Sequence, residues 1–217
     1  MRRRILTQKK NDNYIIYSGS TASSTLNYYY NITGNSSITS YNSHKRTVKS
    51  GYHQDGYKAI ITEWDNVEGC KYMFYNQSNI EYLDLHLDFS KVKYTSTMFS
   101  NFSFVKEINM TNCYSDSVIE INSMFSGCDA RKVVMPNIKS KVTTIGRAFY
   151  MTNLQYLDVS NLDISNAPIV VMFYSIAPLK YIKCKQSFKD ICINNADVVK
   201  LPATMREGGE GVWDIVD

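Results

Sequence analysis

The chain has 217 residues, of which 44% are hydrophobic and 20% are charged, and its formal net charge is +4. This composition excludes disorder throughout the chain and favours one folded domain, or one repeat array with a cap, over two large independent domains. The charge is uneven, because residues 1–50 hold eight Lys and Arg residues against the single acid Asp12.

The chain begins with a basic arm whose candidate anchoring residues are Arg2, Arg3, Arg4, Lys9 and Lys10. Such an arm can neutralise phosphates or lipid headgroups, but a tail that docks on a partner protein has the same charge pattern. We therefore expect a docking arm and do not expect nucleic acid as the partner.

The arm lacks the apolar stretch of a secretory signal, and no window reaches the roughly 18 apolar residues of a membrane-spanning helix. We expect neither an export signal nor a membrane span in this chain.

The rest of residues 1–60 is rich in Ser, Thr, Asn and Tyr and belongs to no repeat. The stretches "TLNYYYNIT" and "GYKAIITEW" have strand-forming composition and are separated by turn-prone residues. Residues 1–60 are therefore predicted to form the basic arm and a β-rich N-terminal cap. A low-complexity linker remains the alternative, because the segment has few aliphatic residues.

Residues 61–187 contain an internal repeat with a period of roughly 25 residues. Its aromatic anchors are Phe74, Phe99, Phe125, Phe149 and Phe173. Methionine precedes four of the five anchors, and a valine lies six residues before the methionine in the first three repeats. In the fourth repeat Val142 lies six residues before Ala148, and in the fifth Asn166 replaces the valine.

Each anchor is followed by apolar residues in period-two alternation, such as Leu83 with Leu85 and Ile108 with Met110. This alternation over few residues is typical of a short strand, and the segment before the anchor suits a short helical or irregular turn. Neither element can bury its apolar face alone, so stacked neighbours must supply the core. We predict an α/β repeat solenoid of about five repeats with a parallel β-sheet on one face.

The repeat resembles a known family. "YMFYNQSNIEYLDL" and "SMFSGC" are similar to the roughly 26-residue repeats of bacterial surface proteins, and "KVVMPNIKSKVTTIGRAF" resembles the related BspA-like leucine-rich repeat. The resemblance covers about residues 61–187. Departures from it are Arg131, which stands where an apolar residue is expected, and Asn166. In that family such repeats occur in surface-displayed adhesins and in parasite or phage-associated proteins, which implies a binding role.

Residues 188–217 break the period and are predicted to form a C-terminal cap. The apolar residues expected to cover the last repeat are Phe188, Ile191, Val198, Val199 and Leu201. The glycines at 208, 209 and 211 are expected to turn the chain so that "VWDIV" returns as a strand. Trp213 is then a packing residue.

The sequence offers little for catalysis or for a cofactor. The three histidines lie in unrelated contexts, without metal-ligand spacing, and "GGEG" lacks the lysine of a phosphate loop. The five cysteines form no CxxC pair and cannot all pair within one chain, so buried free thiols are the favoured interpretation. We expect no enzyme activity, no metal and no cofactor.

A parallel stack would align the outward strand residues in ladders about 4.8 Å apart. The candidate binding face consists of Tyr82, Asp84, His86, Glu107, Asn109, Tyr156, Asp158, Tyr181 and Lys183. In the third repeat the expected outward residues are Val133 and Met135. A surface rich in Tyr and polar residues suits recognition of a protein or a glycan, although a merely solvated sheet face has the same pattern.

These features predict a non-enzymatic binding and attachment protein located on a virion or a cell surface. The opening "MRRRIL" is similar to those of gut-bacteriophage structural and accessory proteins, which favours a virion-associated protein. A bacterial cell-surface adhesin is the alternative, and an accessory domain of an enzyme is a more remote one. The oligomeric state is not predicted.

Overall fold

The computed structural model describes residues 13–30, 44–151, 153–174 and 179–216, and it is mostly β-structure. The strands are β1 (Tyr14–Ser18), β2 (Thr25–Tyr30), β3 (His44–Lys49), β4 (Gly51–His53), β5 (Gly56–Ile60), β6 (Tyr82–His86), β7 (Glu107–Asn109), β8 (Tyr114–Ser115), β9 (Lys132–Val134), β10 (Asn137–Ile138), β11 (Tyr156–Asp158), β12 (Tyr181–Lys185) and β13 (Val212–Val216). The helices are α1 (Gln186–Asn194) and α2 (Ala196–Val199), followed by a 3₁₀ turn at Ala203–Met205.

A nine-stranded sheet organises the fold, with strand order β13-β12-β11-β9-β7-β6-β1-β5-β4. The repeat strands β6, β7, β9, β11 and β12 are parallel and adjacent, so the chain makes four complete turns of a β-solenoid between the first and the last of them. The predicted solenoid with a parallel sheet on one face is therefore present. Successive repeat strands begin at nearly the same spacing along the chain as the aromatic anchors, at Tyr82, Glu107, Lys132, Tyr156 and Tyr181.

The opposite side of the solenoid consists of tight turns, so the predicted α/β class is too rich in helix. In the part of the chain that the structure describes, α-helix occurs only in residues 186–199. Each of the first four turns contains a left-handed residue just before the anchor pair, with φ between 52° and 63° at Tyr72, Thr97, Ser123 and Arg147. A left-handed residue cannot lie inside a right-handed helix.

The turn side is also hydrogen bonded from coil to coil. The Phe74 N–H donates to the Met98 carbonyl at 2.8 Å, and the Phe99 N–H donates to the Met124 carbonyl at 2.8 Å. The anchor phenylalanines stack along the solenoid with ring centroids 5.1 to 6.1 Å apart. All five are at most 1% exposed, so they form the centre of the core.

The structure corrects the expected register of the third repeat. Val133 pairs with Ile108 and Leu157, which both point inward, and it is 0% exposed. Met135 is also buried, so the outward residues of β9 are Lys132 and Val134. A one-residue shift moves every side chain of a strand to the other face, which is why the expected outward ladder was wrong here.

The same correction removes the apparent departure at Arg131 but not the one at Asn166. In the third repeat the buried apolar residue before the strand is Ala130, while Arg131 is exposed. In the fifth repeat Asn166 is exposed and the neighbouring Ala167 is buried, one residue nearer its anchor than Val67, Val92, Val118 and Val142 are to theirs. The third repeat is therefore more regular than the sequence indicated, whereas the fifth keeps a departure of one residue.

The described part of residues 13–60 forms five strands, and β1 joins the solenoid sheet. Strand β1 lies antiparallel to both β5 and β6, with its residues Ile15 and Tyr17 buried. Strands β2 and β3 form a separate hairpin. This hairpin covers the first turn of the solenoid, because the Tyr29 N–H donates to the Met73 carbonyl at 3.1 Å.

The C-terminal residues close the other end of the solenoid. Phe188, Val199 and Leu201 are buried and Ile191 is partly buried against the core, as expected. Val198 is 49% exposed instead, because it lies on the outer side of the short helix α2. Residues 212–216 return as β13, parallel to β12, and the Trp213 indole N–H donates to the Met205 carbonyl at 3.0 Å.

All five cysteines are free and buried, which confirms the prediction of core thiols. Burial raises the pKa of Cys113 and of Cys128 to about 12, so both remain protonated near neutral pH. Among the described residues, no helix is both long and apolar enough to cross a membrane.

Candidate functional site

The outward residues of the repeat strands form two straight rows across the sheet. The first row is Tyr82, Glu107, Lys132, Tyr156 and Tyr181, and the second is Asp84, Asn109, Val134, Asp158 and Lys183. The structure thus brings together eight of the nine residues of the predicted face in two rows, and places the ninth, His86, at the end of β6. The predicted arm residues at positions 2–4, 9 and 10 lie outside the described residues.

Two tyrosines at the C-terminal end of the first row form a stacked pair. The rings of Tyr156 and Tyr181 are 4.8 Å apart and inclined by 8°. The Tyr181 hydroxyl donates to Asp214 of β13, and this hydrogen bond raises the pKa of Tyr181 to about 12. The pair is therefore a neutral, fixed aromatic surface.

Lysines on the same face lie between a carboxylate and a tyrosine ring. Lys106 Nζ is 2.5 Å from Glu81 Oε2 and 5.7 Å from the centre of the Tyr82 ring. Lys132 Nζ is 2.7 Å from Glu107 Oε1 and 5.7 Å from the centre of the Tyr156 ring. These are cation–π distances.

The carboxylate of Glu81 illustrates the effect of this environment. Its hydrogen bond with Lys106 is the main cause that lowers the pKa of Glu81 to about 2, and hydrogen bonds from Ser20 act in the same direction. The Ser20 N–H and hydroxyl both donate to Glu81 Oε1, at 3.0 and 2.8 Å. Glu81 is therefore ionised at neutral pH and joins the N-terminal strands to the first two repeats.

His86 marks the boundary between the solenoid and the N-terminal strands. Its Nε2 is 2.9 Å from Asp84 Oδ2, and its ring stacks on Tyr14 at 4.2 Å. Asn109 Nδ2 donates to the other oxygen, Asp84 Oδ1, at 3.0 Å. These contacts fix the Asp84 carboxylate, so its orientation does not depend on a ligand.

A depression of about 460 Å³ lies where β1 meets β6 and β7. Its lining includes four residues of the predicted face: Tyr82, Asp84, Glu107 and Asn109. The remaining lining residues are Ile16, Tyr17, Ser18, Asp55 and Leu83. The face therefore has a concave part, which a flat row of strands would not provide.

Sequence reasoning missed several residues of this face. Lys132 was hidden by the wrong register of the third repeat, and the inward alternation of Val133 with Met135 was the signal that could have corrected it. Ile16, Ser18 and Asp55 come from outside the repeat, and no periodic signal places them beside β6.

Among the described residues, no group of three His, Cys, Asp or Glu side chains is placed to hold a metal ion. What the face offers chemically is rigid tyrosine rings, fixed carboxylates and lysines, all suited to non-covalent contact.

Comparisons of the chain with protein-family models, with curated proteins and with solved structures gave no match.

Proposed function

We propose that the chain is a non-enzymatic binding protein whose outward sheet face, centred on the two rows of β6, β7, β9, β11 and β12, contacts a protein or a glycan. The observation that carries this proposal is the concentration of partly exposed tyrosines, carboxylates and lysines in two in-register rows on one rigid sheet. A rigid side chain loses little conformational entropy on binding, so its contacts contribute more to affinity.

We further propose that the solenoid is a leucine-rich-repeat array of the BspA-like kind that serves attachment. The buried anchors and buried strand positions, which recur at a regular spacing in every coil, support this. The proposed setting is the virion of a gut bacteriophage, and a bacterial cell-surface adhesin is the alternative. Capsid or tail genes beside this gene would favour the virion, and a sortase or lipoprotein signal would favour the adhesin.

The experiment is a screen of the purified chain against a glycan array and a random peptide library. We expect at least one probe to be enriched, and its binding to be lost when Tyr156 and Tyr181 are both replaced by Ser. The matched control is the double replacement of Tyr150 and Tyr174 by Ser on the turn side, where the two rings stack at 4.5 Å. Both variants remove one stacked tyrosine pair, so they change the chemistry equally.

The proposal requires that the control retain the binding that the face variant loses. Equal loss in both variants, or no enriched probe from either collection, would show that this face is not a binding surface.

A further inference from the structure

We propose that the depression between β1, β6 and β7 is a binding site for a basic side chain, Lys or Arg, presented by a partner protein. This inference rests on the proposed binding function and specifies its partner. It concerns a different part of the sheet face from the Tyr156 and Tyr181 pair, so the two proposals can fail separately.

The first step is the charge of the depression. Its lining contains the carboxylates of Asp55, Asp84 and Glu107 and no Lys or Arg. Three lysines lie beside the lining: Lys132, which binds one oxygen of Glu107, Lys106, which binds Glu81, and Lys58, which pairs with Ile16 across β1 and β5 and lies over the Tyr14 ring. His86 lies beside Asp84, and His53 is 3.4 Å from Asp55. Among the described residues, Asp55 and Asp84 form no ion pair with a Lys or Arg, so the chain compensates the negative charge of the concavity only in part.

The second step is the state of these carboxylates. The Asp84 and Glu107 side chains are 32% and 34% exposed, so each is held by the protein on one side and open to solvent on the other. Asp84 is fixed by Asn109 and His86, and Glu107 is fixed by Lys132. Preorganised charges of this kind bind an incoming cation without first having to be ordered.

The third step is the aromatic wall. Tyr82 is 46% exposed and lines the depression. One ammonium group of the chain already lies near this ring, since Lys106 Nζ is 5.7 Å from its centre and bonded to Glu81. The chain repeats this arrangement with Lys132 between Glu107 and Tyr156. The face thus holds ammonium groups of its own chain between a carboxylate and a tyrosine ring. The depression presents carboxylates and the Tyr82 ring in the same way to an ammonium or guanidinium group of a partner protein.

Charge complementarity decides between a basic protein segment and a neutral glycan. A neutral sugar would stack on Tyr82 and its hydroxyl groups would donate hydrogen bonds, but it would not compensate the negative charge of the three carboxylates. A guanidinium or ammonium group can contact the Tyr82 ring and also compensate the charge of the carboxylates. The volume of about 460 Å³ is ample for one long basic side chain.

The experiment measures binding of fluorescent hexa-arginine and hexa-lysine peptides to the full chain at about 50 mM salt, where exposed charges are weakly screened. We expect saturable binding that the double variant Asp84→Asn, Glu107→Gln weakens by about tenfold or more. We expect Tyr82→Ala to weaken binding by about two- to fivefold, as loss of a cation–π contact predicts. Hexa-lysine acetylated on its side chains has the same chain without the charge and should not bind.

The matched control is the double variant Asp116→Asn, Glu210→Gln, which removes the same net charge at exposed positions outside the depression. It should change affinity by less than about twofold, because an exposed charge away from the depression interacts with the bound cation only weakly through water of high dielectric constant. Asp55→Asn is the second test, since the Asp55 side chain is 66% exposed and its replacement should leave the fold unchanged.

Equal weakening by the control variant would reduce the effect to net charge and overturn the proposal. So would displacement of the peptides by a neutral oligosaccharide, which would assign the depression to glycans. If the library probes bind through Tyr156 and Tyr181 while the depression variants change nothing, this inference fails and the proposed function stands. If no probe of any kind binds, both fail.

Discussion

At the scale of single residues, the left-handed positions in the turns explain where the backbone of each coil reverses its direction. A second left-handed position follows the anchors of the first three coils, at Asn76, Asn101 and Gly127, with φ of 56°, 54° and 69°. Asn and Gly are the residue types that adopt this conformation with least strain. At this second position the backbone of the first three coils therefore reverses at a residue type that tolerates a left-handed conformation.

Gly127 is a turn position that should be sensitive to substitution. A Cβ there would lie 2.5 Å from Asn101 Oδ1, and its φ is +69°. Gly127→Ala should therefore lower the free energy of unfolding by about 1–3 kcal/mol. The measurement is chemical denaturation followed by circular dichroism.

Gly146→Ala is the control for this prediction. A Cβ at Gly146 would meet its nearest atom, Asn122 Oδ1, at 3.5 Å, which is ordinary contact, and its φ is not in the left-handed range. This change should be neutral or stabilising by up to about 1 kcal/mol. If the two alanine variants have equal stability, the backbone of the third turn differs from the one described.

At the scale of the elements, the stacked phenylalanines and the hydrogen bonds between coils on both sides make the repeats interdependent. A coil contacts mainly its neighbours, so the free energy of each coil depends on the interfaces with the adjacent ones. Buried Lys71 and partly buried Glu120 add a longer link, because Lys71 of the first coil lies 3.0 Å from Glu120 of the third. The elements therefore gain their stability from stacking and not from local propensity.

Phe99 is the central test of this stacking. It packs on Phe74 at 5.6 Å and on Phe125 at 5.1 Å and is 0% exposed. Phe99→Ala should cost about 3–5 kcal/mol of unfolding free energy, because it removes apolar burial and leaves a cavity between two coils. Equilibrium denaturation in urea measures this loss.

Phe104 provides the same substitution outside the core, a short distance along the chain and 67% exposed. Phe104→Ala should change the unfolding free energy by less than about 0.5 kcal/mol. Comparable losses in the two variants would contradict the assignment of the anchor phenylalanines as the centre of the core.

At the scale of the whole molecule, charge is separated along the chain. Residues 1–50 hold eight basic residues and one acid, and the remainder carries a net charge of −3. This distribution of charge supports our proposal that the arm is an electrostatic anchor and that the sheet face binds a partner.

The anchoring role predicts salt-dependent retention on virions or cells that carry the protein. About 0.5 M salt should release it, because exposed charge pairs are screened at that concentration. Replacing Arg2, Arg3 and Arg4 by Gln should release it at lower salt, as measured by immunoblot of the washed particles.

The control for the arm replaces Lys139, Lys141 and Lys200 by Gln, which removes the same charge from exposed positions of the folded part. It should leave retention unchanged. Retention of the arm variant in high salt, or after deletion of residues 1–10, would contradict electrostatic anchoring.

The sequence by itself determined the period, the inward alternation and the buried thiols, because these depend on which residues must avoid water and at what spacing. It located the candidate face in four of the five repeat strands, where alternation is unambiguous. In the third it failed by one residue, since Ala130 and Arg131 compete for the buried position, and the pairing with β7 and β11 assigns it to Ala130.

Only the tertiary structure decided what stands beside the repeats. The pairing of Tyr14–Ser18 with Tyr82–His86 joins two segments that are far apart along the chain, and such non-local contacts leave no periodic trace in the sequence. That pairing brings Ile16 and Ser18 against the first repeat strands and, through β5, Asp55 as well. The rows of the candidate face follow from the repeat, whereas the depression exists because a non-repeat strand packs antiparallel against the first coil.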